Sequence, residues 1–198
     1  MIEFFTRLSN LFWRIVTQLY FRPQFGSIGP NTLIRKPMLL RNVRGIRVGA
    51  RCGIRDGARL ELIPSDGRFP SLAIGDDVSI EQNVHIACNT QIRIGDRVTI
   101  AARCTIVDIS HPFDDVERTD SIGARLSIDP MPVTIEEGCF LGVGTVILPN
   151  VTLGKYCVVG ANSVVTKSMP AYSVCAGAPA RVIRRYDPTL RTWDRAEA

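Results

Sequence analysis

Residues 135–164 read IEEGCF LGVGTV ILPNVT LGKYCV VGANSV, and Val165 opens a sixth block. An aliphatic residue heads each hexad: Ile135, Leu141, Ile147, Leu153, Val159 and Val165. The same beat runs earlier through Ile74, Ile80 and Ile86, then resumes after a two-residue slip as Ile94, Ile100 and Ile106. A fainter stretch is Val48, Ile54 and Leu60. Glycine is frequent at the second position (Gly75, Gly95, Gly142, Gly154, Gly160), and the fifth is small or β-branched (Val78, Val84, Thr90, Val98, Thr145, Val151, Ser163). Neither an amphipathic helix nor a half-buried strand repeats every six residues. A hexapeptide period predicts an all-β chain folded as a parallel β-helix.

The physics of such a repeat is simple. Each hexad supplies one short strand and a turn, and three hexads complete a triangular coil. Coils hydrogen-bond to one another at about 4.8 Å, so residues roughly eighteen apart lie above one another. The aliphatic first position points inward and the small fifth position fits beside it. Glycine at the second position is expected to supply the dihedral freedom of a sharp corner. One coil cannot bury its own apolar face, so stability comes from the stack.

At 198 residues the chain suits one domain with a substantial core. It has no apolar run long enough to span a bilayer. The apolar N-terminus is interrupted by Arg7 and Arg14 and lacks a small-residue cleavage site, which argues against a signal peptide and for a cytoplasmic protein. Of six cysteines, Cys52, Cys104, Cys139, Cys157 and Cys175 fall at the small fifth position. They read as buried hydrophobes in a reducing compartment, with Cys139, Cys157 and Cys175 in one column. Cys88, at a third position, is expected to face outward.

Three segments follow: an N-terminal amphipathic helix and linker (1–32), a β-helix domain (33–185) with a long excursion at 107–132, and a short C-terminal tail (186–198). Phe4, Phe5, Leu8, Leu11, Phe12, Ile15, Val16 and Leu19 form one helical stripe ended by Pro23 and Gly26. That stripe is expected to pack on the first coil or on a neighbouring subunit, with a membrane surface as the alternative. A smaller excursion spans 61–73. Residues 1–60 carry eleven Lys or Arg against two acids, while the rest carries thirteen against seventeen. Arg41, Arg44, Arg47, Arg51, Arg55 and Arg59 recur across the first coils as either a solvated wall or a surface for anionic lipid headgroups or a sugar-linked diphosphate. No basic–aromatic interleaving accompanies them, so nucleic acid is not an expected partner.

The chain has two histidines. His111 sits in the long excursion, within Val107-Asp108-Ile109-Ser110-His111-Pro112-Phe113-Asp114-Asp115. A loop histidine among carboxylates reads as a general base, since imidazole exchanges protons near neutral pH. Asp108, Asp114 or Asp115 could hold its other ring nitrogen. His85 ends a hexad and reads equally as surface or substrate contact. No cysteine has an obvious base beside it, so no covalent acyl-enzyme is expected.

The hexad array, the Asp108–Pro112 loop, Gly160–Lys167 and Ala176–Ile183 together resemble the hexapeptide-repeat acyltransferases over residues 40–185. The likeness is to the galactoside, maltose and nodulation acetyltransferase group and to the sugar O-acetyltransferases of polysaccharide clusters. It implies a left-handed coil, a homotrimer with sites between subunits, acetyl-CoA as donor, a small-molecule or glycan hydroxyl as acceptor, and no metal requirement. By the resemblance His111 is the base, Asn83 contacts the acceptor, and Gly142 with Val143 offers a backbone N–H to the thioester oxygen. Ala161, Thr166 and Lys167 line a CoA channel, and Arg181 and Arg184 approach its phosphate end. The family's acceptor-side carboxylate falls near Cys88 and Asn89, neither acidic, and Val143 stands where serine is usual. His85 and Asn89 complete the acceptor-side candidates. The reaction implied is O-acetylation of a sugar or glycan precursor by direct transfer. Antibiotic or serine O-acetylation is the alternative chemistry. A γ-carbonic-anhydrase-like metalloprotein would need three zinc-binding histidines, and a non-catalytic trimeric scaffold would leave His111 unexplained. The basic N-terminus adds peripheral contact with the inner membrane face through residues 1–60.

Overall fold

The computed structural model describes residues 2–65 and 67–195, leaving the side chains of residues 2–4 undescribed. The Phe4 side chain and residues 196–198 of the expected tail therefore lie outside the described residues. Helix α1 (Ile2–Val16) runs into a π-helical turn, Thr17–Phe21, that stops short of Pro23. Strands, numbered in chain order, then build three sheets. The first contains β1 (Ser27–Ile28), β4 (Ile46–Val48), β7 (Ser71–Ile74), β10 (Gln91–Ile94), β13 (Val133–Ile135) and β16 (Thr152–Leu153). The second contains β2 (Leu33–Ile34), β5 (Gly53–Ile54), β8 (Ser79–Ile80), β11 (Thr99–Ile100), β14 (Phe140–Leu141) and β17 (Val158–Val159). The third contains β3 (Leu39–Arg41), β6 (Arg59–Leu62), β9 (His85–Cys88), β12 (Thr105–Val107), β15 (Val146–Ile147) and β18 (Val164–Val165). Up to β18 the chain visits the three sheets in rotation, and neighbours within each sheet are parallel.

Register explains the hexads. Ile74, Ile94, Ile135 and Leu153 are stacked partners in the first sheet, as Ile80, Ile100, Leu141 and Val159 are in the second. These first-position side chains are buried in one continuous core. Truncating any one to alanine should cost about 2–5 kcal/mol. The stack starts earlier than the expected Leu33, because β1 already pairs with β4.

The glycine expectation needs correcting. Second-position glycines do not carry the unusual dihedrals; the fourth positions do, with positive φ at Asp77, Asn83, Arg97, Arg103, Asn150, Tyr156 and Asn162. Second-position glycine answers a close approach instead. A Cβ on Gly142 would stand 2.6 Å from the Ala161 nitrogen, and one on Gly75 would stand 2.2 Å from Asp96 Oδ1.

All six cysteines are free and buried, Cys88 included, so it does not face outward. Cys175 also leaves the expected column. It pairs in register with Val159 because the last coil is two residues short. Ser173 takes the vacated place, its Oγ 3.4 Å from Cys157 Sγ.

The chain closes with an antiparallel hairpin on the second sheet. There β19 (Ser173–Gly177) pairs with β20 (Ala180–Asp187), and β20 pairs with β21 (Thr192–Arg195). Strand thus continues into the segment expected as tail. At the other end, α1 and the turn after it direct Trp13, Val16 and Thr17 toward the first coil, where Thr17 Oγ1 accepts the Ile34 N–H at 3.0 Å. Asn10 Oδ1 accepts from Arg35 at 2.8 Å. Of the expected apolar stripe Val16 packs there, but Leu8, Leu11, Phe12, Ile15 and Leu19 do not and are each more than half exposed. No helix among the described residues is long and apolar enough to cross a membrane.

Nor do the six arginines form one wall. Winding sends Arg47 to the first sheet, Arg41 and Arg59 to the third, Arg44 to the short helical turn Val43–Gly45, and Arg51 and Arg55 to corners. Arg51 pairs with Asp77 at 2.6 Å, Arg55 with Glu81 at 3.3 Å and Arg59 with Glu61 at 2.9 Å.

Candidate active site

Two excursions leave from the corner between the third and first sheets: residues 63–70 after β6 and 108–132 after β12. The longer one carries His111, which is exposed. Its Nδ1 lies 2.7 Å from the carbonyl oxygen of Arg125. A carbonyl can only accept, so Nδ1 bears the proton and Nε2 keeps a free lone pair. Imidazole in that tautomer is a base with its orientation already set. Arg125 holds the loop as well as the ring. Its side chain is 5 % exposed, and its guanidinium donates to the carbonyls of Asp115 (3.0 Å), Arg118 (3.1 Å) and Asp120 (3.0 Å). Ser127 N–H closes the loop base on Ser110 O at 3.0 Å. The cavity beside His111 has a volume of about 470 Å³ and is lined by loop residues, including Phe113, Leu126, Ile128 and Met131.

Asp108, expected as a partner of His111, does something else. It is 2 % exposed and points back at the turn after β9. There it accepts from Asn89 N–H (2.5 Å), Thr90 N–H (2.8 Å), Thr90 Oγ1 (2.8 Å) and Gln91 N–H (2.7 Å). With its oxygens committed to these four donors and to the Cys88 thiol at 3.6 Å, it has no role at the imidazole. Asp114 and Asp115 are likewise passed over in favour of a backbone carbonyl. Asn89 is buried too. Its Nδ2 donates to Ile63 O (2.7 Å) and Ser65 Oγ (2.9 Å), so it ties the two excursions together and is not presented to an acceptor. His85 projects from β9, and its Nε2 lies 3.0 Å from Glu61 Oε1, a carboxylate that Arg59 also pairs. Glu61 is 5 % exposed, and its burial was not legible from a lone acid in the hexad.

The remaining candidates fall into two groups. Asn83, Gly142, Val143 and Ala161 sit at the corner between the second and third sheets. Asn83 has φ 57° and its Oδ1 lies where a Cβ on Gly57 would be. Gly142 N–H is committed to Val159 O at 2.8 Å, whereas among the described residues Val143 N–H donates to no backbone carbonyl. Of the two, Val143 alone can offer a free donor. Thr166 and Lys167 follow β18 at the corner that bears the His111 loop, and both are exposed. Arg181 and Arg184 are exposed on β20 of the closing hairpin. No residue of the Asn83–Val143–Ala161 corner lines the His111 cavity. One four-residue strand of the third sheet spans roughly 13 Å, and that width separates the two corners. Among the described residues no cluster of three His, Cys, Asp or Glu side chains is placed to hold a metal.

The family model described as bacterial transferase hexapeptide (six repeats) matches residues 132–167. Over 168 residues the chain is 32 % identical to WbbJ of Escherichia coli (strain K12), named as a lipopolysaccharide biosynthesis O-acetyl transferase, covering 83 % of this chain and 84 % of that one. The chain belongs to the hexapeptide-repeat transferase family. The galactoside O-acetyltransferase of the same organism is 37 % identical over 114 residues, 58 % of this chain and 54 % of its own. Among solved structures, AntD, an N-acyltransferase from Bacillus cereus in complex with dTDP and 3-hydroxybutyryl-CoA, superposes with a TM-score of 0.73. It is 21 % identical and covers 88 % of this chain and 90 % of that one, a likeness of fold. Within this hexapeptide-repeat transferase the resemblance drawn from the motifs is thus confirmed at the level of family. Arg125 had no sequence signal, because what it offers the histidine is a main-chain oxygen.

Proposed function

We propose that the protein is an acetyl-CoA-dependent O-acetyltransferase acting on a hydroxyl of a sugar or glycan precursor. In this reading it is a left-handed β-helix assembled as a homotrimer, with each site formed where the His111 loop of one copy meets the Asn83–Val143–Ala161 corner of another. The observation that carries it is the Arg125 carbonyl on His111 Nδ1, which leaves Nε2 ready to take a proton from an attacking hydroxyl. The same nitrogen then returns that proton to the departing thiolate. Val143 N–H is free to face developing oxyanion charge, a contribution of roughly 3 kcal/mol per donor in other enzymes. Lys167, Arg181 and Arg184 are exposed cations suited to the phosphates of CoA.

Assembly is supported by the separation of the two corners within one chain. It is supported also by the apolar loop residues Phe113, Val116, Ile122 and Ile128, each more than half exposed. Partly exposed Val107, Val146, Leu148 and Val164 on and beside the third sheet give that face an aliphatic surface for other copies. Peripheral membrane contact rests on α1, whose outward stripe lies beside Arg7 and Arg14. Because relatives by sequence are named for lipopolysaccharide and galactoside acetylation, the acceptor class is taken as saccharide. Labelled acetyl-CoA offered with a panel of saccharides, serine and aminoglycosides tests this. Transfer confined to saccharides is expected, and transfer to serine or an antibiotic with none to any saccharide would overturn it.

A further inference from the structure

A trough runs along the outer face of the first sheet, with a volume of about 610 Å³. Its origin is compositional. The outward side chains of β7 are Ser71 and Ala73, too small to fill the width between flanking strands. On those strands Arg47 (β4) and Arg93 (β10) stand either side of Ala73 in direct register. Two strand spacings place their backbones about 9.6 Å apart. Both guanidinia are exposed, and among the described residues neither has a carboxylate within ion-pairing distance. That sets them apart from Arg35, Arg51, Arg55, Arg59 and Arg97, each of which meets an acid. The three acids that line the trough are themselves engaged: Glu137 pairs with Lys155 and Arg97, Glu136 accepts the Lys155 backbone N–H, and Asp96 accepts the Asp76 backbone N–H.

The trough also joins the catalytic corner. Gln91 lines it and, on its other side, lines a second hollow of about 380 Å³ with Arg68, Phe69, Asn89, Thr90, Pro130 and Pro132. Gln91 N–H is one of the donors fixed by Asp108, three residues before His111. The wall of the trough and the root of the base-bearing loop are therefore one hydrogen-bonded unit.

We propose that this trough is a subsite for an oxyanion carried by the acceptor saccharide, gripped by Arg47 and Arg93 over the floor of Ser71 and Ala73. Two guanidinia at this spacing suit a sugar-linked diphosphate or the carboxylates of a uronic-acid chain. The idea rests on the saccharide-acceptor reading and extends it from the reacting hydroxyl to a distant part of the same molecule.

The test is binding by titration calorimetry of the full chain, without CoA, using inorganic pyrophosphate in one arm and trigalacturonate in the other. Arg47→Ala/Arg93→Ala removes two exposed side chains and is expected to fold. Binding of either probe by the parent, weakened at least tenfold in the double variant and as ionic strength rises, is the expected result; the arm that binds names the source of the oxyanion. No binding in either arm, or binding unchanged in the double variant, would overturn the subsite and leave the acetyl-transfer reading standing. Turnover separates the two further. With a neutral saccharide acceptor the double variant should match the parent, while KM for the anionic acceptor rises at least tenfold and kcat holds.

Discussion

At the residue scale, position in the chain proved a poor guide to position in space. A carboxylate three residues from His111 looks like its partner, yet the strand end turns Asp108 inward to gather five donors at the 88–91 turn. Asp108→Ala should therefore act as a folding mutation. It strands buried N–H groups and should cost about 2–4 kcal/mol in urea unfolding. An unfolding midpoint equal to the parent's would refute that structural role. His111→Asn should behave oppositely: parental stability, CoA affinity near normal, and acetyl transfer reduced by about 10² to 10⁴. The hexad phase identified the cysteines as inert filling, and burial pushes the Cys139 thiol up to about 12. Native protein at pH 8 should react with a thiol reagent at a small fraction of the rate seen in denaturant. Rapid native labelling of several thiols would contradict it. Cys88 eluded the same phase argument because the two-residue slip falls at its own corner.

At the scale of elements, the excursion and the N-terminal helix were both visible in the sequence, but not how each is held. Proline, glycine and the break in the hexads mark where a loop leaves; they do not say that one buried guanidinium organises it. Arg125→Lys supplies a point charge in place of a five-donor fork. It should lower kcat about tenfold or more through loss of loop order, with CoA affinity and the thermal midpoint nearly unchanged. Parental kcat in that variant would show that the loop holds His111 without the guanidinium. For α1 the apolar stripe was legible, while the face that packs was not, because Trp13 and Thr17, outside the stripe, join its member Val16 in meeting the first coil. Replacing Leu8, Phe12 and Leu19 with serine should abolish flotation with anionic vesicles and leave acetyl transfer to a soluble acceptor intact. Parental flotation in that variant would remove the helix from any membrane role.

At the scale of the whole molecule, the period of six carried the stacking: the register that pairs Ile74, Ile94, Ile135 and Leu153 follows from where aliphatics recur. What it could not carry was what interrupts the period, namely the shortened last coil and the hairpin through Arg195. It also could not say how winding scatters Arg41 to Arg59 over separate faces, since a linear run of charge becomes a patch only if the chain does not turn between charges. The proposed sharing of each site between copies requires a closed ring, so sedimentation should give the mass of three chains. A single-chain mass with full activity would exclude that assembly. The sharpest test of a site shared between copies is complementation. His111→Asn and Ala161→Trp, differently tagged and co-expressed, should each be inactive alone, while trimers purified through both tags should recover about a third of parental acetyl transfer, because each mixed closed ring brings an intact loop to an intact corner at one site in three. Mixed trimers as inactive as either variant, or full activity in His111→Asn by itself, would contradict the account.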